Sequence, residues 1–401
     1  MDEVLSAARS THWSRLNDRT LCDSCLGRLF GKIGHGYTNE ARGRSIRRET
    51  GLQEGPCWLC VGLTARYTDL ADLVVRKLEP WEFDSFAIGS KIDPEIAARE
   101  EVLWSDLGAA GPEPLKAEVN REVGKVVSDR LRKEPDLTHP EIVAVIDPAF
   151  DHVDVQVNPL YLRGRYRKLV RGMPQTRWPC RRCMGKGCDR CGGTGKMYPT
   201  SVEEVIAAEV MRESGGRAHA LHGMGREDVD ARMLGRGRPF ILEVKEPHRR
   251  HLDLPGAMAR INASGIVEVD ALVPATAGEV VPLKEDRAAK TYRIALRMAP
   301  PVEEAKLKST LLALVLEPIA QRTPERVVHR RADTIRHRRV LSADVRGVEG
   351  DRVELRVTAE AGTYVKEWVH GDGGRTRPSL AERLGAACEV LELDVLDVHD
   401  G

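Results

Sequence analysis

The sequence has no apolar run approaching the ~20 residues that a bilayer crossing requires, which excludes a membrane-spanning helix. Its opening, Met1-Asp2-Glu3-Val4-Leu5-Ser6, lacks the basic and apolar regions of a secretory leader. A soluble, cytoplasmic protein without a membrane partner is expected. Neither charge sign is in excess: 62 Lys and Arg stand against 61 Asp and Glu, a net charge of +1. Global charge therefore gives no sign of nucleic-acid binding. Internal repeats and low-complexity tracts are also missing, so a solenoid is not indicated.

What is there suffices for two or three domains: 401 residues, 41% hydrophobic and 31% charged. The balanced total hides local clusters. Residues 321–340 hold seven arginines and two histidines against Glu325 and Asp333. Residues 163–171 add Arg163, Arg165, Arg167, Lys168 and Arg171, with Tyr161 and Tyr166 interleaved. Arginine at this density suits phosphate contacts. One such cluster alone reads as a solvated face; two with few local acids point to RNA.

Eight of the nine cysteines form four C-x2-C pairs: Cys22/Cys25, Cys57/Cys60, Cys180/Cys183 and Cys188/Cys191. In an intracellular chain this spacing favours zinc over disulfides. Two thiolates so spaced reach one tetrahedral ion at ~2.3 Å without strain. The pairs can combine in three ways. Proximity favours Cys22, Cys25, Cys57 and Cys60 at one site, and Cys180, Cys183, Cys188 and Cys191 at the other. With only sulfur ligands the zinc is structural. The second segment resembles the C-x2-C-x-G-x-G repeats of DnaJ-type zinc modules, its glycines letting amides turn toward the sulfurs. A chaperone reading is weakened by the absence of a J-domain His-Pro-Asp signature. Cys388, in an alternating run, reads as a strand core residue.

Patterning predicts α+β organisation. Residues 1–65 read as a zinc-stapled unit, with a helix from Asn39 capped by Thr38 and stopped by Gly51. Residues 66–175 mix a helix near Pro114–Lys133 with strands at Glu141–Ile146 and His152–Val157. Residues 176–200 read as a Cys/Gly-rich knuckle and linker. Residues 201–401 open with the capping box Ser201-Val202-Glu203-Glu204 and a helix ended by Gly215. Strands follow at Phe240–Val244, Gly265–Ala271, Lys290–Arg297, Arg339–Val345 and Arg352–Thr358.

The polar turn Gly225-Arg226-Glu227-Asp228-Val229-Asp230 suits a carboxylate that a bulky substrate must approach closely. It resembles the catalytic-aspartate motif of the archaeal and eukaryotic pseudouridine synthases acting on the T-arm of tRNA. Lys290-Thr291-Tyr292-Arg293 resembles that family's active-site tyrosine segment. Ala361-Gly362-Thr363-Tyr364-Val365-Lys366-Glu367 resembles its third core motif. Gln321 to Pro324, His329 to Asp333 and His370 to Thr376 are similar to it as well, all in the family's order.

This resemblance implies a pseudouridine synthase catalytic domain with a mixed sheet and central cleft, behind an N-terminal zinc-binding, THUMP-like accessory domain. It implies uridine isomerisation at tRNA positions 54, 55 or both, with structural zinc, no organic cofactor and no obligatory protein partner. Asp228 is the expected catalytic residue, with Glu227 and Asp230 as alternatives. Lys366 pairs with Asp228 and holds it ionised. Tyr292 stacks on the uracil or its ribose, and Arg226 holds a phosphate. Tyr364, Arg249, Arg250, Arg330 and Arg331 complete the expected RNA contacts. The competing reading is a non-catalytic, zinc-containing RNA-binding or tRNA-folding protein. The trio Asp228, Tyr292 and Lys366 argues against it, because a pure binder does not need them.

Overall fold

A computed structural model describes residues 1–109 and 111–399, with the backbone alone at Arg330. The chain divides into two compact units, residues 1–159 with 246–250, and residues 160–245 with 251–401. Among the described residues no helix is long and apolar enough to cross a membrane.

The first unit has one core. Its sheet runs Glu134–Pro135, Ser85–Ser90, Ile142–Asp147, His152–Val157, with the last pair antiparallel and the others parallel. Helices Tyr67–Leu78 and Leu115–Leu131 bury Leu70, Val74, Val119, Val123 and Val127 in this core. Leu26, Leu29, Phe30 and Ile46 from the N-terminal segment join the same cluster. Residues 1–65 are therefore not a separate unit: a segment this short buries little apolar surface alone and shares its neighbour's core. The helix at Asn39–Thr50 forms as its caps require, Thr38 accepting from the Ala41 amide and Gly51 left-handed at φ +69°.

The second unit is built on an eight-stranded mixed sheet. Its order is Val340–Glu349, Arg352–Ala359, Lys290–Ala299, Ala387–Val398, Arg232–Lys245, Leu160–Lys168, Val267–Ala275, with Ala218–Gly223 also paired to Arg232–Lys245. All neighbours are antiparallel except one seam, where Ala387–Val398 runs parallel to Arg232–Lys245 through Asp394↔Arg232 and Val395↔Met233. Fully buried Asp394 stitches this seam, with Arg171 Nη2 at 2.7 Å, Arg232 Nη2 at 2.8 Å and Arg293 Nη1 at 3.4 Å. Cys388 lies buried in Ala387–Val398, as its alternation predicts. A smaller antiparallel sheet joins Ile335–Arg338, Ile319–Arg322 and Thr376–Arg377.

The boundary expected at residue 175 differs from this division. Leu160–Lys168 is an inner strand of the large sheet, hydrogen-bonded on one edge to Arg232–Lys245 and on the other to Val267–Ala275. Residues 176–200 consequently form an excursion inside the second unit rather than a linker between units. Pairing partners some 70 and 110 residues away leave no mark on local composition. The same strand explains the fate of the 163–171 cluster. Arg163 pairs with Glu279, Arg167 with Glu268 and Asp270, and Arg171 with Glu392 and Asp394. Its cations are committed within the protein, and local sequence gave no view of these distant acids.

Candidate active site

The turn at residues 224–230 immediately precedes the seam strand Arg232–Lys245. Gly225 sits at φ +73°, and a Cβ there would meet Arg238 Nη1 at 3.3 Å. A side chain at this position would thus be both strained and crowded. The three acids of the turn, indistinguishable by composition, take three different environments.

Glu227 points inward. Its side chain is fully buried and pairs with Arg238 Nε at 2.8 Å, while the Tyr166 hydroxyl donates to it at 2.8 Å. Gln175 Nε2 donates to that same hydroxyl and to the Gly225 carbonyl, at 2.8 and 3.0 Å. Arg238 also donates to the Met224 carbonyl at 2.7 Å. Buried Lys168 donates to the carbonyls of Met173, Asp228 and Val229 at 2.8, 3.1 and 3.2 Å. This network satisfies the inward-facing polar groups and holds the turn from beneath.

Asp228 faces the other way, its side chain 35% exposed. Arg326 Nη1 donates to its Oδ1 at 3.3 Å, and Lys366 Nζ lies 3.4 Å from Oδ2. Arg326 is fixed in turn by a 2.6 Å bond from its Nε to buried Glu367. Burial alone opposes the charge on Arg326, but Glu367 and then Asp228 hold its pKa above the usual arginine range. Asp230 is outermost, and Lys366 Nζ donates to both its oxygens at 2.9 and 2.8 Å. Lys366 thus lies against Asp228 and also makes a shorter, bidentate contact with Asp230. A flexible ammonium with three donors can bridge both acids, and sequence spacing cannot rank them.

Tyr292 lies in the inner strand Lys290–Ala299 and is buried. Its phenol is pushed up to about 12, mainly by burial; Arg238 pulls it down and the charge of Asp228 pushes it up. Lys290, two residues earlier, is pulled down to about 8 by burial and by Arg238. Tyr364 caps the helix Val365–His370 that carries Lys366. Buried Gln321 clamps the Tyr364 backbone from both sides, donating to its carbonyl at 3.0 Å and accepting from its amide at 2.9 Å. Arg331 Nη1 donates to the Tyr364 hydroxyl at 3.0 Å.

The structure thus brings together Asp228 and Lys366, sets Tyr292 within reach of the charge of Asp228, and joins Tyr364 to Arg331. Arg226 is exposed, with its guanidinium 5.0 Å above the Trp178 ring. Arg249 and Arg250 belong to the first unit. Arg250 is not an RNA-contacting arm: its side chain is 7% exposed and donates to the Glu141 and Asn158 carbonyls. Its flanking basic residues suggested a solvated grip, but a guanidinium can saturate backbone carbonyls equally well. The side chain of Arg330 lies outside the described residues. Sequence reasoning missed Arg326 as a site residue, since nothing distinguishes it from the six other arginines around it. It also missed Glu367, Gln321 and the anchors beneath Glu227.

The cysteines fall into two tetrads, Cys22/Cys25/Cys57/Cys60 and Cys180/Cys183/Cys188/Cys191, each with its sulfurs within 4.8 Å of one another. Cys22 and Cys60 Sγ are 3.7 Å apart; in the second tetrad Cys180–Cys188 and Cys183–Cys191 are 3.9 Å and Cys188–Cys191 is 3.8 Å. Four sulfurs at ~2.3 Å around a tetrahedral ion lie about 3.8 Å apart, so both tetrads fit a metal ion. The glycine amides turn toward sulfur as expected, Gly187 N to Cys183 and Gly195 N to Cys191 at 3.2 Å each.

Residues 161–399 match the family model described as Pus10, C-terminal, and residues 70–147 match the model for the archaeal Pus10 THUMP domain. The chain is 44% identical over 414 residues to the tRNA pseudouridine synthase Pus10 of Methanothrix thermoacetophila, covering 94% of this chain and 91% of that protein. It is 40% identical over 418 residues to the tRNA pseudouridine synthase Pus10 of Methanopyrus kandleri, covering 94% and 95% respectively. Among solved structures, the crystal structure of a Cbf5–Nop10–Gar1 complex is similar at 20% identity and TM-score 0.31, over 49% of this chain and 45% of that one.

Proposed function

Because this chain belongs to the Pus10 family of tRNA pseudouridine synthases, we propose that it isomerises uridine 54, uridine 55 or both in the T-arm of tRNA, with Asp228 as the catalytic carboxylate. The enzyme is an isomerase, and the reaction is internally balanced. The bond from C1′ to uracil N1 breaks, the base turns, a bond from C1′ to C5 forms, the C5 proton leaves, and N1 takes up a proton in its place. No redox partner is required. The reaction does need a fixed carboxylate beside the sugar, cations nearby, and a pocket for a base taken out of its stack.

One observation carries the reading. Two cations from separate segments, Arg326 and Lys366, converge on Asp228, whose backbone carbonyl is held by buried Lys168. Such pre-set electrostatics fix the carboxylate at a partly open position. Tyr292, buried yet near enough to feel the charge of Asp228, is the aromatic we assign to packing against a flipped base. Tyr364 and Arg331 extend the substrate side, and Arg226 supplies a guanidinium two residues from the carboxylate. We read both cysteine tetrads as structural zinc centres, because all four donors are sulfur. Metal there would supply fold stability and no chemistry at the uridine. The tRNA substrate itself supports a cytoplasmic enzyme.

The test is incubation of the protein with unmodified tRNA transcript and single-nucleotide mapping of pseudouridine. Wild type should modify the T-arm, while Asp228→Ala should be inactive and bind tRNA within a few-fold of wild type. Turnover by a clean Asp228→Ala preparation would sink the catalytic assignment.

A further inference from the structure

We infer that the cysteine knuckle of residues 177–190 is a phosphate grip for the tRNA whose uridine reaches Asp228, a surface separate from the residues already assigned to substrate. The inference rests on that catalytic reading. The segment carries Arg177, Arg181, Arg182, Lys186 and Arg190, with Asp189 as its sole acid. All five cationic residues are exposed, and none forms an ion pair among the described residues. The 163–171 cluster, similar in sequence, is instead neutralised by Glu268, Asp270, Glu279, Glu392 and Asp394. Surface arginines usually find a carboxylate when one is near; among the described residues none is in ion-pair contact with these five side chains, and Glu203 accepts from Arg177 only at its backbone amide, at 3.2 Å. A zinc–tetrathiolate centre carries a formal charge of −2, and the segment remains positive even so.

The knuckle is rigidly framed. Cys180 N donates to the Gly195 carbonyl at 2.7 Å, and Met197 N to the Trp178 carbonyl at 2.9 Å. A Cβ at Gly195 would fall 2.2 Å from the Gly185 carbonyl oxygen, so the two arms touch backbone to backbone. With the sulfurs turned inward, Arg181 and Arg182, lying between the first two cysteines, can only point outward. A backbone already framed loses little freedom when its side chains meet a phosphate.

The knuckle is also joined to the catalytic turn. At its neck Trp178 meets Tyr198 edge-on at 5.5 Å, and the Arg226 guanidinium lies 5.0 Å above the Trp178 ring. Arg226 stands two residues before Asp228. A strand whose uridine enters the site therefore has the basic knuckle beside it, and RNA backbone is the partner that fits such unpaired, arginine-rich charge.

The experiment measures tRNA-transcript affinity against salt concentration in the full-length Asp228→Ala chain. Replacing Arg181, Arg182, Lys186 and Arg190 with Gln should weaken binding at least tenfold at low salt. Each lost phosphate contact should make the log–log salt slope shallower by roughly 0.7–0.9. Replacing only the three arginines with Lys should preserve the slope, and neither variant should shift the melting temperature. Cys180→Ser with Cys183→Ser, which releases the cations from their frame, should reproduce much of the affinity loss. Unchanged affinity and slope in the four-Gln variant would overturn the inference. If Asp228→Ala turns over, the catalytic reading fails, while the salt slope still decides the grip.

Discussion

Lys366 bridges two aspartates unequally: its ammonium lies 2.8 Å from Asp230 Oδ2 and 3.4 Å from Asp228 Oδ2. Asp230 thus holds the lysine that also touches the catalytic candidate. Burial opposes ionisation of Asp230, yet the Lys366 hydrogen bonds hold its carboxyl below the usual range.

Lys366→Met should cut turnover by more than tenfold, whereas Asp230→Asn should reduce it only a few-fold, since the lysine then keeps Asp228. Single-turnover rates on saturating tRNA make the comparison. The linkage also has a defined sign. A depressed carboxyl stabilises the fold above its ordinary pKa of ~3.9 and loses that contribution as pH falls through the folded value. The stability difference between wild type and Lys366→Met should accordingly be present at neutral pH and shrink in acid.

Lys290 gives the opposite dependence. Its folded pKa is about 8, below the ordinary lysine value, so the folded state releases its proton first. Between those two values stability rises with pH, by something on the order of 1–3 kcal/mol for a largely buried group. Denaturant melts across that window should show the rise in wild type and a flatter profile in Lys290→Met. Equal slopes in the two proteins would refute the assignment.

Glu227 and Asp228 are adjacent and should behave oppositely. Glu227→Gln leaves Arg238 buried and unpaired, which typically costs about 3–5 kcal/mol. Asp228→Asn removes a partly exposed charge and should cost under about 1 kcal/mol. Chemical denaturation separates the two, and a stable, well-folded Glu227→Gln protein would contradict the anchoring role.

Metal analysis of material never exposed to chelator should give two zinc ions per chain. Replacing Cys22 and Cys25 together should destabilise the first unit by several kcal/mol, because binding energy at a structural zinc is folding energy. The four ligands close on a core containing Cys25, Cys60, Leu26 and Leu59, so the loss should spread beyond residues 1–65. Fewer than one zinc per chain would remove this reading of the tetrads.

The single-residue pattern was legible where physics is local. The caps at Thr38 and Ser201, the stops at Gly51 and Gly215, and most strand cores follow from neighbours within a few positions. Cysteine grouping was legible as well, because C-x2-C spacing sets the reach of two thiolates. The turn containing Asp228, and the Tyr292 and Lys366 segments, stood out by resemblance, and the structure sets Lys366 against Asp228. Only the tertiary structure decided which acid does what. Glu227, Asp228 and Asp230 differ by the distant groups that meet them: Arg238 below, Arg326 and Lys366 above. The same holds for the arginines. Arg163, Arg167 and Arg171 are neutralised by acids far along the chain, Arg250 is buried on carbonyls, and the knuckle cations form no ion pair among the described residues. Charge in a sequence is a local count, whereas its availability depends on which remote strand the fold sets beside it.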